Sequence, residues 1–391
     1  MSSSEKTAFC ATCLLGVEGL LSEELRDLGC EDVRAENGRV RFAGGWEILA
    51  RACLNSRYAE RAGIFLGEFP ARSFEELFQG VKALPWEDFL GKQDAFPVAG
   101  SSLSSALHSV PDCQAIVKKA VVERLKSRYR LSWFPEDGPQ HRIRFRILKD
   151  RVSLTMDACG VGLHKRGYRP ASNAAPLKET LAAALVKLMR LRPDGTLYDP
   201  FCGSGTLLIE GAMLAMNIAP GLGRSFTAED WSQGDPAVWR QERERARDLE
   251  RREGGFTGTG YDLDPAAVEL TLENARRAGV HGVLRASVRD IRDFREESPF
   301  GCVVCNPPYG QRILDQEAAR ALYREMGRVF SPKRGWSYGV ITPEEDFESL
   351  FGRKADKRRK LYNGMIRCQF YSYFKWKESE ARKIQVDKGI R

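Results

Sequence analysis

No apolar run in the 391 residues approaches the roughly 18 needed to cross a membrane as a helix, so no segment reads as a membrane span. The opening residues, Met1-Ser-Ser-Ser-Glu-Lys6, lack the apolar core of a secretory leader, and the expected location is cytoplasmic. Neither sign of charge dominates. The 61 Lys and Arg outnumber 53 Asp and Glu, for a net charge of +8. That excess permits a nucleic-acid partner and is equally met by a solvated basic surface. The ten cysteines include two C-x-x-C pairs, Cys10/Cys13 and Cys302/Cys305, but both fall in strand-like runs. There, residues three apart point to opposite faces, so no metal is expected and the cysteines read as buried free thiols. What remains is an ordinary globular composition, 42% hydrophobic and 29% charged, long enough for two or three domains with real cores.

The chain has two halves with different rhythms. The first mixes strands and helices with no glycine-rich site. Phe9–Leu15 reads as a strand, and Gly16–Leu28 as a helix with Leu20, Leu21, Leu25 and Leu28 on one side. Val110–Tyr129 reads as a helix that turns Lys118, Lys119, Arg124 and Lys126 outward. His141–Leu148 alternates Ile143, Phe145 and Ile147 with Arg142, Arg144 and Arg146, which suits a sheet covered on one face or a solvated basic strand. From Ala174 onward, helix and strand alternate: helix 174–189, strand 196–201, helix 206–216, strand 258–262, helix 264–278, strands near 283–288 and 300–305, helix 317–330 and strand 337–342. Repeated strand–helix units imply a parallel sheet with helices on both faces. The pattern then breaks. Lys360-Leu-Tyr, Asn363-Gly364 and Met365–Trp376 read as a hairpin, so an antiparallel edge closes the parallel sheet. The segment 217–256 interrupts the units, and its second half, from Trp239, reads as a polar helix with a solvated face.

Asp199-Pro-Phe-Cys202-Gly203-Ser-Gly205-Thr206 follows a strand and opens a helix. Glycines at 203 and 205 let the backbone approach a ligand. The dinucleotide fingerprint wants a third glycine where Leu208 stands and an acid about 20 residues on, whereas the next acid at a strand end, Asp262, lies beyond the 217–256 segment. S-adenosylmethionine fits better, because it has no pyrophosphate to cradle. It needs a close backbone loop, a carboxylate for the ribose hydroxyls (Asp262) and an acceptor near the adenine amine, for which Asp290 is placed and Asp293 competes. Asp264 precedes Pro265 and reads as a helix cap.

Residues Cys305-Asn306-Pro307-Pro308-Tyr309 stand where the fourth strand of this sheet ends. In open parallel sheets, ligands bind at the carboxyl ends of strands. A nucleobase amine is a poor nucleophile, because its lone pair is delocalised into the ring. Two acceptors that take both amine hydrogens hold the nitrogen and stabilise the positive charge that grows on it. Asn306 offers a side-chain oxygen and Pro307 a carbonyl, with φ locked at both prolines; Tyr309 offers a ring for the base to stack on. No histidine base is needed in the stretch. The absence of an exposed cysteine beside it argues against carbon-5 pyrimidine methylation.

The second half resembles the amino-methylating class I methyltransferases with an N-P-P-Y motif. The whole chain resembles the bacterial THUMP-domain RNA methyltransferases related to the large-subunit ribosomal RNA guanine-N2 methyltransferase. The resemblance is carried by Ser109–Lys119, Leu163-His-Lys-Arg-Gly-Tyr-Arg169, Ala175–Ala182, Asp199–Thr206, Asn306–Gly310 and Lys360–Gly364. It implies an α/β fold: a Rossmann-like methyltransferase domain with a C-terminal antiparallel hairpin, preceded by an α+β ferredoxin-like/THUMP RNA-binding region. The implied bounds are a ferredoxin-like piece at 1–55, a THUMP domain at 56–160, the methyltransferase domain at 161–378 and a flexible tail at 379–391. It implies that Asp199, Cys202, Gly203, Gly205, Thr206, Asp262, Asp290 and Asn306 hold S-adenosylmethionine, and that Asn306, Pro307, Pro308 and Tyr309 hold the base. It puts Lys178 or Glu179 near the cofactor. RNA contacts are expected from Lys118, Lys119, Lys165, Arg166 and Arg169. The implied activity is guanine-N2 methylation of ribosomal RNA, most directly 23S rRNA, or of a ribosome-assembly intermediate, by a monomer that needs no membrane. Transfer-RNA guanine, an adenine amine and a non-catalytic assembly factor stay open as alternatives.

Overall fold

Alternation in the first half and strand–helix repetition in the second build two separate seven-stranded sheets in the computed structural model. The structure describes residues 6–169, 177–295, 298–309 and 316–374. Among these, one compact unit takes the residues up to 13, 21–163 and 224–245; the other takes 14–20, 164–223 and those from 246 onward.

The first unit contains strands β1 (Thr7–Cys13), β2 (Glu31–Glu36), β3 (Arg39–Gly44), β4 (Ala59–Pro70), β5 (Val98–Leu103), β6 (Ile143–Leu148) and β7 (Arg151–Asp157). Helix α1 (Glu18–Asp27) starts in the 14–20 segment; α2 (Trp46–Asn55), α3 (Phe74–Lys82) and α4 (Val110–Tyr129) follow. The strand order is β2-β3-β1-β4-β7-β6-β5, antiparallel except for β5 beside β6. On β6, Ile143, Phe145 and Ile147 are buried as the alternation predicts. The arginines between them are not simply solvated: Arg144 is half-buried and donates to the buried Asp157 at 2.6 Å.

The segment 217–256 departs from the sequence reading. Its helix, α7 (Pro236–Asp248), buries Trp239, Glu242 and Ala246. Glu242 accepts two bonds from Arg51, at 2.9 and 2.7 Å, and Trp239 stacks on Phe226 at 5.2 Å. Just before it, Trp231 stacks on His141 at 4.8 Å and donates to the Gln140 carbonyl. An aromatic residue every few positions anchors a segment whose composition looked only polar, and residues 224–245 count with the first unit although their sequence interrupts the second.

The second unit contains α5 (Glu179–Leu188), β8 (Thr196–Asp199), α6 (Thr206–Ala215), β9 (Thr257–Asp262), α8 (Pro265–Arg277), β10 (Leu284–Val288), β11 (Gly301–Cys305), α9 (Gln316–Val329), β12 (Trp336–Thr342), α10 (Phe347–Phe351), β13 (Lys357–Asn363) and β14 (Ile366–Tyr373). The order β10-β9-β8-β11-β12-β14-β13 is parallel from β10 to β12, and β14 and β13 run antiparallel at the edge. This is the α/β sheet with a terminal hairpin that the sequence implies. The hairpin turn is displaced by one residue: Asn363 pairs with Ile366, so Gly364 and Met365 form the loop, with Gly364 at φ +63. A glycine at the first loop position is what a type II′ turn selects. An aromatic cluster of Tyr198, Phe294, Phe330, Trp336, Tyr338 and Phe351 stiffens the sheet beneath the site. The strand order reverses between β8 and β11, and the carboxyl ends of these strands open a crevice. The start of the 174–189 helix, Trp376 and the tail at 379–391 lie outside the described residues.

Candidate active site

The crevice is a cavity of about 1110 Å³, lined by Asp199–Ser204, Thr206, Asp262–Asp264, Arg289–Arg292, Asn306–Tyr309 and Asn363–Ile366. Thus the glycine loop, both strand-end acids and the N-P-P-Y stretch, separated by up to a hundred residues, face one space.

The glycine loop is held on every side. Gly203 and Gly205 take φ +53 and +77, a left-handed backbone that disfavours any other residue, and a Cβ on Gly205 would stand 2.8 Å from the Thr271 methyl. The Gly203 amide donates to Asp262 Oδ2 at 2.9 Å, and the Asp264 amide to Asp262 Oδ1 at 3.1 Å. From α8, Thr271 Oγ1 donates to the Gly203 carbonyl and Asn274 Nδ2 to the Ser204 carbonyl, both at 2.9 Å. Each Asp262 oxygen keeps acceptor capacity for a ligand. Asp264 caps α8 by accepting from the Ala266 amide, as read from the sequence.

Asp199 is 2% exposed. Burial pushes its carboxyl up to about 8; the Phe201 amide pulls against this, and the negative Asp262 adds to it. Cys202 is buried, its thiol pushed up by desolvation, so it is no nucleophile. Cys302 and Cys305 are likewise buried and pushed up. Asp290 lines the cavity but also caps the short helix at Ile291–Asp293: it accepts from the Arg292 amide and takes both arms of the Arg292 guanidinium, at 3.0 and 2.6 Å. These bonds hold its carboxyl below the usual range.

On the other side of the cavity, Pro307 is buried, while Asn306, Pro308 and Tyr309 are half-buried. Tyr309 Oη accepts from Asn363 Nδ2 at 3.0 Å, which ties the stretch to the edge hairpin.

The five cations expected to meet RNA separate. Lys119 and Lys165 are exposed. Lys118 is half-buried, pairs with Glu136 and lies 3.6 Å over the Phe96 ring. Arg166 and Arg169 point inward, contrary to the surface role read for them. Arg166 is 5% exposed, and its guanidinium meets the fully buried Glu210 at 3.4 Å, which also accepts from Tyr168 at 3.1 Å. Arg169 donates to Thr206 Oγ1 at 2.8 Å and to the Leu177 carbonyl at 3.0 Å, and pairs with the buried Glu179 at 3.0 Å. A charge buried with its partner is an internal brace, and this one grips the first residue of α6 beside the glycine loop. Lys178 does line the cavity. A basic run in sequence gave no sign of which members have an acid waiting inside. Thr271, Asn274, Glu210 and Asn363 carried no sequence signal either, because each acts on a segment some 40 to 70 residues away.

Comparison with known proteins matches residues 166–372 to UPF0020, the RMKL-like methyltransferase domain. The chain belongs to the RMKL-like methyltransferase family. Residues 8–62 match the RlmL ferredoxin-like domain and 71–157 the THUMP domain, the two N-terminal modules implied by the sequence. The chain is 41% identical over 383 residues to the Bacillus subtilis protein YpsC, named as a proposed RNA methyltransferase, covering 97% of this chain and 99% of that one. It is 35% identical to a ribosomal RNA large subunit methyltransferase K/L from Syntrophotalea carbinolica, covering 93% of this chain and 53% of the relative. The chain therefore spans about half the length of the K/L proteins it matches. Among solved structures, SMU.472, a proposed methyltransferase complexed with S-adenosylhomocysteine (SAH), aligns with a TM-score of 0.89 at 42% identity, covering 95% of this chain and 99% of that one. A Listeria monocytogenes structure described as a proposed N6-adenine-specific DNA methylase aligns with a TM-score of 0.88 at 45% identity, covering 95% and 96%.

The cofactor of this RMKL-like class I fold is S-adenosylmethionine, and the residues present fit it. The carboxyl groups of Asp199, Asp262 and Asp290 line the cavity and offer acceptors that suit a ligand with hydroxyls and an amine. Leu263 and Ile291 add apolar wall beside the acids, as a flat heterocycle requires. When bound, S-adenosylmethionine supplies an electrophilic methyl group.

Proposed function

We propose that the protein methylates the exocyclic amine of guanine, at N2, in large-subunit ribosomal RNA. The observation that carries this reading is the shared cavity: Asn306-Pro307-Pro308-Tyr309 faces the same space as Asp262 and the glycine loop. Asp262 would hold the ribose hydroxyls of the cofactor, with the glycine-loop backbone lining the same space. The Asn306 side-chain oxygen and the Pro307 carbonyl accept the two amine hydrogens, so the nitrogen is held and its growing positive charge is stabilised. Tyr309 stacks on the base and keeps it flat. The base leaves its stack to reach this depth, and the cationic amine formed by transfer loses its proton to water afterwards, so the step requires no histidine base. Lys119 and Lys165 are surface cations suited to phosphates.

The K/L relatives, named for large-subunit ribosomal RNA, support ribosomal RNA as the substrate class, and the THUMP match supports RNA over protein. A second reading, an adenine amine, is favoured by the description of the Listeria monocytogenes structure and uses the same two acceptors.

The test offers methyl-labelled S-adenosylmethionine and undermethylated ribosomal RNA, transfer RNA or ribosomal particles to the purified protein. Digestion to nucleosides and mass spectrometry then identify the product. Label in N2-methylguanosine from ribosomal RNA is expected. Label only in N6-methyladenosine, or only in transfer RNA, would replace this reading with the corresponding alternative.

A further inference from the structure

The edge hairpin reaches the active site, and the reaction chemistry described above assigns it no task. Its tip, Asn363, Gly364, Met365 and Ile366, lines the same cavity as Asn306 and Tyr309. Two observations give the tip distinct tasks. Asn363 Nδ2 donates to Tyr309 Oη at 3.0 Å, a bond between segments 54 residues apart that anchors the phenol end of the ring. Met365 is 97% exposed, the most exposed large apolar side chain among the described residues, and it lines the crevice.

The arm behind the tip is stiff. β13 and β14 pair without a break from Lys357↔Ser372 to Asn363↔Ile366, and β14 is pinned in turn to β12. Arg359 donates to the Gly16 carbonyl at 3.1 Å, and Arg358 is held by Glu348. The strand leading to the tip carries four consecutive exposed cations, Lys357-Arg-Arg-Lys360, a charge run along a sheet edge that ends at the cavity. A polyanion tracking that edge arrives at Met365.

We propose that the hairpin tip is the element that captures the target nucleotide of RNA: Asn363 positions Tyr309 for stacking, and Met365 is the apolar wedge that packs against the RNA beside the extruded base. Apolar side chains on a rigid tip serve this purpose generally, because they replace the stacking that the base gives up. The inference rests on the nucleobase-amine reading above.

The experiment measures single-turnover methyl transfer to ribosomal RNA or ribosomal particles, S-adenosylmethionine affinity and melting temperature for wild type, Met365→Ser and Met365→Leu. Met365→Ser should lose at least ~10-fold in transfer rate, with cofactor affinity and melting temperature unchanged, and Met365→Leu should retain the wild-type rate. A second set compares Asn363→Ala, Tyr309→Phe and the double variant. If Asn363 acts through the phenol oxygen, the double variant is no slower than the slower single one. Transfer by Met365→Ser within twofold of wild type would overturn the wedge, as would a loss of cofactor affinity or folding that accounts for its rate. Additive losses in the second set would overturn the positioning role. A wild-type protein that methylates no RNA in either form would remove the reading beneath the inference, and the inference with it.

Discussion

The two sides of the cavity are built differently. On the glycine-loop side, backbone and side chains are locked into the fold. Asp262 accepts from Gly203, Thr271 and Asn274 grip the loop carbonyls, and Arg169 holds Thr206 with a buried ion pair behind it. On the N-P-P-Y side, the chain itself contributes rigidity through two prolines, and a side-chain bond joins Tyr309 to Asn363. One side is preorganised by packing, the other by covalent stiffness plus a ring tied to the edge hairpin. On the proposed function the difference suits the two ligands: a small cofactor held in one pose, and a base that swings in from a polymer and leaves again.

If this division is right, damage on the two sides has different symptoms. Asp262→Ala removes the partner of the Gly203 amide and, on the proposed reading, the ribose acceptor with it. Cofactor affinity should fall about 100-fold, two hydrogen bonds at roughly 1–1.5 kcal/mol each, as titration calorimetry would show. Tyr309→Ala should leave that affinity intact and slow single-turnover transfer by about 10-fold or more, the scale of one base–aromatic stack. Equal cofactor loss in both variants would erase the distinction between the sides. Thr271→Val is nearly isosteric and leaves the Gly203 carbonyl without its donor. It should cost about 1 kcal/mol of stability and weaken cofactor binding several-fold, with transfer at saturating cofactor unchanged. The mildest test is a pH profile of the ligand-free protein. Burial holds Asp199 at about 8, above its ordinary 3.8. Between those values the folded protein keeps a proton that the unfolded chain has released, so this group's contribution to stability falls as pH rises through the window. Asp199→Asn should remove that part of the fall in denaturant midpoint between pH 6 and 9. An identical pH slope in both proteins would show that the carboxyl is not held protonated.

The fold was legible where local pattern and tertiary demand agree. Strand–helix repetition gave the parallel sheet, and the Asn-Gly pair gave the edge hairpin, though its loop proved to be Gly364-Met365. The cavity lining was legible where it comes from contiguous residues, as in Asp199–Ser204 and Asn306–Tyr309. The site was illegible where a residue's meaning depends on what stands opposite. Arg166 and Arg169 looked like surface cations because nothing near them in sequence announces Glu210 or Glu179. The charged run after Trp239 looked solvated because its buried positions, Trp239, Glu242 and Ala246, are a thin stripe in a polar helix, and Glu242 is matched by Arg51, 191 residues away. Asp290 was read as a ligand group; the structure shows its carboxylate capping a short helix and paired with Arg292, which a sequence reading of acids at strand ends does not reveal.

The claim at the centre is that Asn306 acts on the base amine and not on the fold or the cofactor. Asn306→Ala, assayed for S-adenosylmethionine affinity by calorimetry and for labelled methyl transfer to RNA under single-turnover conditions, tests it directly. The expected result is cofactor affinity within about twofold of wild type and transfer reduced at least ~100-fold, the scale of one lost transition-state contact. Transfer at a near-normal rate, or a loss wholly explained by weaker cofactor binding, would contradict the account.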